Sequence, residues 1–208
     1  VAWGRCDLDA IHTVRSRGSF MEHAGPEGSG AMSAVRGMDA SVIENVLNGR
    51  EGVSIANYNC PGQIVITGEA AAVAEAGTAL KEAGARRVLP LKVSGPFHSP
   101  MMRPAGEELA KVFARVSMNP LKIPYVANIN AEVITDCGRI EGLLVDQVSG
   151  SVRWQQSVET MIREWVDTFV EIGPGKTLTG FLRKIDKNVK AYHIGSWEEA
   201  VQVCEELK

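Results

Sequence analysis

The residues predict an α/β fold, with a β-α-β-β-α-β unit of ferredoxin-like order set inside a larger α/β region. Three observations carry that expectation. Strand-like and helix-like segments alternate between residues 31 and 93, with a turn or stop signal between neighbours. Apolar stripes at helical spacing then recur, separated by short β-rich runs. A joint of turn residues, Gly25-Pro26-Glu27-Gly28-Ser29-Gly30, precedes the alternation.

Each element follows from a local signal. Leu8, Ile11, Val14 and Met21 recur near helical spacing and predict a helix over 8–24. After the joint, 31–36 reads as a strand. Asp39 is placed to cap a helix running to about Leu47, because its carboxylate can take an orphan amide. Residues 53–58 and 63–67 read as strands joined through Pro61-Gly62. An alanine-rich run, 70–83, predicts a helix stopped by Gly84, and 86–93 a last strand. Beyond the loop Ser94-Gly95-Pro96-Phe97-His98-Ser99-Pro100, helical stripes are formed by Leu109, Val112, Phe113 and Val116, then by Ile140, Leu143, Leu144 and Val148. Two more follow, Trp154, Val158, Met161, Ile162 and Trp165, then Leu178, Phe181, Leu182 and Ile185. Short strands are expected at 124–129, 168–172 and 190–194. The expected division is 1–27 plus 94–208 for the larger region and 28–93 for the smaller one.

Composition narrows the class. The 208 residues are 45% hydrophobic and 23% charged, enough for a real core. The formal net charge is −3, with no basic stripe or aromatic-plus-arginine cluster, so no nucleic-acid partner is expected. No apolar run reaches membrane-spanning length and no charged-then-apolar leader is visible; no membrane partner is expected, and the cytoplasm is the expected location. Cys6, Cys60, Cys137 and Cys204 are widely spaced and are read as small buried or half-buried residues. With His12, His23, His98 and His193 they show no metal-site spacing, so neither a metal nor a cofactor is expected. The chain opens on Val1-Ala2-Trp3-Gly4, which reads as the end of an apolar helix, and an N-terminal truncation is expected.

Few residues stand out for chemistry. His98 sits between Gly95-Pro96 and Pro100, a loop of limited conformational freedom. Such a histidine is either a half-exposed loop residue or a general base and acid. Arg17 is either a solvated helix charge or a bidentate clamp on a carboxylate. Gln147 falls on the face defined by Ile140, Leu143 and Leu144, where it either satisfies a structural hydrogen bond or orients a catalytic group. Asn57-Tyr58-Asn59-Cys60-Pro61-Gly62-Gln63 reads as a polar turn between strands. Gly173-Pro174-Gly175-Lys176-Thr177 suggests a phosphate loop but lacks the required upstream glycine, since Val170 stands there. No G-x-S-x-G nucleophile elbow occurs in the 208 residues.

An ordered set of motifs carries a resemblance. The set comprises Arg15-Ser16-Arg17-Gly18, Gly30-Ala31-Met32, Asn57 to Ile66, Val93-Ser94-Gly95-Pro96-Phe97-His98-Ser99, Val152-Arg153-Trp154, Ser157-Val158, Glu171-Ile172-Gly173-Pro174-Gly175-Lys176 and Leu178-Thr179-Gly180. Together they resemble the malonyl-CoA:acyl-carrier-protein transacylases of type II fatty-acid synthesis, over nearly the whole chain. The resemblance implies an α/β-hydrolase-like acyltransferase core, partial in this chain, with the ferredoxin-like unit inserted. It implies ping-pong transfer of malonyl from malonyl-CoA to the phosphopantetheine thiol of holo acyl carrier protein, through a malonyl-serine. By the same resemblance His98 is the catalytic histidine, and Arg17 pairs with the malonyl carboxylate. The main-chain carbonyl of Gln147 orients His98, Asn59 contacts substrate, and Phe97 marks the malonyl-selecting form of the loop. The full-length enzyme is expected to be a monomer.

In the family a G-H-S-x-G elbow precedes the position matched by Val1, so the chain alone is expected not to form the malonyl-serine. Two other readings stand beside this one. The chain could be an inactive fragment or carrier-protein docking module, or an unrelated nucleotide-binding protein using residues 173–177.

Overall fold

A computed structural model describes residues 7–25, 28–116 and 118–207. The expectations for residues 1–4, Cys6, the Leu8 side chain and residues 26–27 lie outside what it describes.

Helix α1 spans Asp7–Glu22. A four-stranded antiparallel sheet follows, built from β1 (Gly30–Arg36), β2 (Val53–Cys60), β3 (Gln63–Glu69) and β4 (Arg87–Pro90), in the order β2-β3-β1-β4. Helices α2 (Ala40–Leu47) and α3 (Ala70–Glu82) complete the β-α-β-β-α-β succession. Alternation sorts the strand residues. Val35, Ile64 and Ile66 point to one face and pack with Ile43, Leu47, Val73 and Leu80 of the two helices. Met32, Ala34, Ala56 and Val65 point to the other and meet Phe97. A register shift between Ile55 and Asn57 re-phases β2, so that Ile55 and Tyr58, three positions apart, share the helix-covered face.

The turn chemistry matches the sequence in most places. Gly62 takes φ 72° in the β2–β3 hairpin. Helix α3 ends in a Schellman pair, Ala85 N–H to Leu80 O and Gly84 N–H to Lys81 O, with Gly84 at φ 102°. Asp39 stands at the N-cap of α2, but its side chain makes no cap hydrogen bond. The last strand of the unit ends at Pro90 rather than at 93: Leu91 N–H to Met32 O is the last bond to β1, after which the chain turns, with Val93 N–H donating to Leu91 O.

The second body is mostly helical. It holds α4 (Arg103–Phe113), α5 (Ile140–Ser149), α6 (Trp154–Arg163), α7 (Thr177–Ile185) and α8 (Trp197–Glu206). Strands β7 (Thr168–Ile172) and β8 (Lys190–Ile194) pair in parallel and match their expected ranges. The run 124–129 yields only β5 (Tyr125–Val126), paired antiparallel with β6 (Val133–Ile134), which the sequence did not announce. Helix α8 was also unannounced, although Ser196 Oγ accepts the Glu199 N–H three residues on, a capping-box signal present in the sequence.

Several expected burials are corrected, that of Leu178 in the last stripe among them. Ile11 and Val14 are 66% and 70% exposed. The spacing 8–11–14 drifts around the helix, and the face that packs on α4 carries Thr13, Phe20 and Met21 instead. Trp165 is 92% exposed because it falls past the end of α6, at φ 67°. Cys204 is exposed, whereas Cys60 is buried and Cys137 half-buried.

Candidate functional site

Four separate segments converge on one cleft. Arg17, Gly18 and Met21 come from α1, and Met32 from β1. Asn57 comes from β2, while Leu91, Val93, Phe97 and His98 come from the stretch after β4. The cleft encloses about 410 Å³. Its walls are mainly apolar, with one guanidinium, one imidazole and one amide as polar groups, the mixture expected of a small-molecule site. A cavity of about 350 Å³ lies elsewhere, between α6, α7 and β7, and is more enclosed by apolar side chains; it holds neither Arg17 nor His98.

The loop bearing His98 is held from below. Pro96 is buried against Gly30, where an added Cβ would stand 2.3 Å from the proline ring. Ser99 is fully buried and donates its hydroxyl to Pro96 O at 2.7 Å. Phe97 bridges two clusters, packing against the Met21–Met102–Leu109 group and against the Met32–Ala56–Val65 group. His98 adopts φ 60°, an uncommon conformation for a residue with a Cβ. That backbone turns its ring toward the end of α5.

There the imidazole Nδ1 meets two carbonyl oxygens, Gln147 O at 3.0 Å and Gly150 O at 3.2 Å. Carbonyls only accept, so Nδ1 carries the proton and Nε2 is left with its lone pair. Burial holds the His98 imidazole below the ordinary histidine value. The hydrogen bonds to Gln147 and Gly150 oppose that shift, and the positive charge of Arg17 adds to it. The ring is therefore neutral near pH 7, with Nε2 able to accept a proton. Arg17 is half-buried, and burial lowers its pKa as well. Among the described residues no carboxylate pairs with it.

Gln147 does more than the sequence suggested. Beyond its carbonyl, its side-chain Nε2 donates to Gly150 O at 2.9 Å and to Ser151 O at 3.3 Å. Asn59 is not among the residues lining the cleft; Asn57, two positions earlier and on the other side of a register shift, is. Nothing singled out Asn57 over Asn59 in the sequence, because the shift that re-aims the strand depends on its partner β3. Arg17, Phe97, His98 and Gln147 are brought together.

The Gly173–Thr177 turn has a different use. Its glycines take φ 138° and 84°. Glu171 turns back on the following helix, its carboxylate accepting Leu178 N–H at 3.0 Å, Thr179 N–H at 2.8 Å and Thr179 Oγ1–H at 2.6 Å. Burial works against the Glu171 carboxylate, but these bonds outweigh it and hold its pKa below the usual range. Two amides in the first turn of α7, those of Leu178 and Thr179, are already occupied by the chain's own anion.

A neutral imidazole with Nε2 free to accept a proton, beside an arginine with no carboxylate partner among the described residues, gives the cleft a proton acceptor and an anion-binding group side by side. Comparison with known proteins assigns the class. The profile of the acyl transferase domain family matches residues 6–203, and the chain belongs to that family. Similar relatives are the malonyl CoA-acyl carrier protein transacylase of Bacillus subtilis (strain 168), 43% identical over 204 residues, and that of Escherichia coli (strain K12), 44% identical over 180 residues. The matches cover 96% and 85% of this chain but 64% and 58% of those relatives. Among solved structures, an acyl-carrier-protein S-malonyltransferase from Bartonella henselae superposes with a TM-score of 0.93 at 39% identity, covering 98% of this chain and 66% of that one. A type II polyketide acyl-carrier protein in complex with its malonyl-transacylase matches with a TM-score of 0.90 at 37% identity, over 98% of this chain and 67% of the other. The chain thus has the mixed α/β fold of these acyltransferases. No described helix is long and apolar enough to cross a membrane.

Proposed function

We propose that this chain is the histidine- and arginine-bearing part of a transacylase that moves malonyl from malonyl-CoA to the phosphopantetheine thiol of acyl carrier protein. The observation that carries the reading is the His98 ring, its Nδ1 held by two carbonyls and its other face in the same cleft as Arg17. His98 Nε2 takes the proton of a serine nucleophile and later returns it to the departing thiolate. The guanidinium of Arg17 pairs with the free carboxylate of malonyl. An acetyl thioester leaves that half-buried charge unpaired, which penalises the wrong substrate. Gln147 orients the base, Phe97 closes the acyl pocket, and the strand residue facing the substrate is Asn57, the residue that lines the cleft, in place of Asn59.

The architecture supports the same reading. We take residues 28–93 as a ferredoxin-like subdomain, on the strand order β2-β3-β1-β4, and residues 1–27 with 94–208 as part of an α/β-hydrolase-like core, on the parallel β7–β8 pair. Arg36, Arg86, Arg87 and Lys184 surround a recess of about 280 Å³ where the two meet, and none of them pairs with a carboxylate among the described residues. That recess suits an acidic carrier protein or the phosphates of coenzyme A. The cytoplasm, where both substrates would be met, is the location we assign.

The test is transfer of radiolabelled malonyl from malonyl-CoA to holo acyl carrier protein by a polypeptide joining this chain to a nucleophile elbow of the family. Transfer that is lost in His98→Ala, and that loses its preference over acetyl in Arg17→Ala, is expected. Malonyl transfer unaffected by both substitutions overturns the proposal.

A further inference from the structure

Residues 150–153 run as a strap along the free edge of β2. Val152 N–H donates to Ala56 O at 2.7 Å, and Tyr58 N–H donates to Val152 O at 2.9 Å. Ser151 adds the strap's side-chain hook on the strand, its hydroxyl donating to Ile55 O at 2.5 Å. The residue just before it, Gly150, presents its carbonyl to His98 Nδ1. The sheet edge and the imidazole are thus connected through two consecutive residues.

The two carbonyls facing His98 are not equally anchored. Gln147 O belongs to the last turn of α5, whose carbonyls have no intrahelical partner. Gly150 O lies just past that helix: its own N–H is tied to Asp146 O at 2.9 Å, but the peptide that carries its carbonyl continues into the strap. Gln147 Nε2 reaches the same oxygen, so imidazole, amide and strap meet at one atom.

We propose that Ser151 is a positioning residue: by fastening its hydroxyl to Ile55 O it holds the Gly150 carbonyl against His98 Nδ1, and so keeps the imidazole proton on Nδ1 and the Nε2 lone pair in the cleft. The inference rests on the reading of His98 as the base. The opposite tautomer would aim the Nδ1 lone pair at two carbonyl oxygens, and releasing one of them removes much of that repulsion.

The experiment is long-range 1H–15N spectroscopy of the histidine ring nitrogens in this chain and in Ser151→Ala, Ser151→Thr and Ser151→Cys. The unsubstituted chain is expected to show the neutral ring of His98 with its proton on Nδ1. In Ser151→Ala the tautomer ratio is expected to move about fivefold toward Nε2–H, the change equivalent to one ordinary hydrogen bond. Ser151→Thr, which keeps the hydroxyl, is expected to restore it. Arg17, whose charge acts on the ring, is unaltered throughout the series, so a changed ratio is not a charge effect. A folded Ser151→Ala with the original ratio overturns the proposal. If Ser151→Ala does not fold, Ser151→Cys, with a weaker donor of similar size, decides: an intermediate ratio supports the hook and an unchanged one overturns it. Absence of malonyl transfer by the polypeptide joined to a nucleophile elbow, with the tautomer series as expected, would count against the proposed function alone, and the reverse result against the hook alone.

Discussion

The imidazole Nδ1 of His98 lies 3.0 Å from the main-chain oxygen of Gln147, 49 positions further along the chain. One residue is in a strained loop under the four-stranded sheet and the other at the end of a helix in the second body. Their meeting fixes the direction of the imidazole ring and leaves Nε2 as an acceptor, and it makes the cleft sensitive to changes in either body.

Arg17 is expected to control selectivity more than rate. In a polypeptide carrying a nucleophile, Arg17→Ala should lower kcat/KM for malonyl-CoA on the order of 100-fold, while acetyl-CoA, relieved of the unpaired charge, should be used better than before. Arg17→Lys should recover only part of the loss, because an ammonium does not match a carboxylate in bidentate fashion. Competition between the two thioesters measures both.

His98 should make the fold sensitive to acid. Its folded pKa lies below the ordinary 6.5, so the unfolded chain binds the proton more readily than the folded one. Its contribution is therefore neutral above the unfolded pKa. As pH falls below that value stability is lost, until the folded ring also titrates. Urea unfolding of the chain and of His98→Asn between pH 7 and pH 5 should converge toward acid, with the variant showing the shallower slope.

Gly30→Ala should disturb the site from beneath. The added Cβ would stand 2.3 to 2.5 Å from three atoms of the Pro96 ring, which cannot rotate away. A loss of about 1–3 kcal/mol is expected from overpacking, together with displaced His98 ring signals. Gly18→Ala, with nothing within 4 Å, is the control in the same neighbourhood and should leave the signals in place.

Glu171→Ala should loosen the start of α7 without touching the His98 cleft. Three donors lose their acceptor, and the cost should be about 1–2 kcal/mol, as for a lost N-cap. Since the carboxyl pKa is depressed in the fold, that stability is present above the unfolded pKa and disappears as pH falls through the folded one. Thermal melts at neutral and acid pH should show the difference from the unsubstituted chain narrowing.

The β-α-β-β-α-β succession was legible because its elements are local and well punctuated: Pro61-Gly62 for the hairpin, Gly84 for the helix stop, apolar alternation in Ile64 to Ile66. The parallel strands β7 and β8 were legible as apolar runs. Helix α1 is legible in the sequence but its buried face is not, because Ile11 and Val14 are apolar without being buried. Strand β6 has no sequence signal because two residues carry no period, and helix α8 is announced only by its Ser196–Glu199 cap.

The site divides in the same way. The sequence by itself determined which residues have the right chemistry: an imidazole between prolines, an arginine ending a basic motif, and a glutamine on an apolar helix face. Only the tertiary structure decided that His98 donates to two carbonyls, that Asn57 rather than Asn59 lines the cleft, and that Glu171 fills the helix end that resembled a phosphate loop. Each of those depends on contacts between residues distant in the chain, and hydrogen-bond direction is set by where the partner atoms lie, which residue type and spacing alone do not encode.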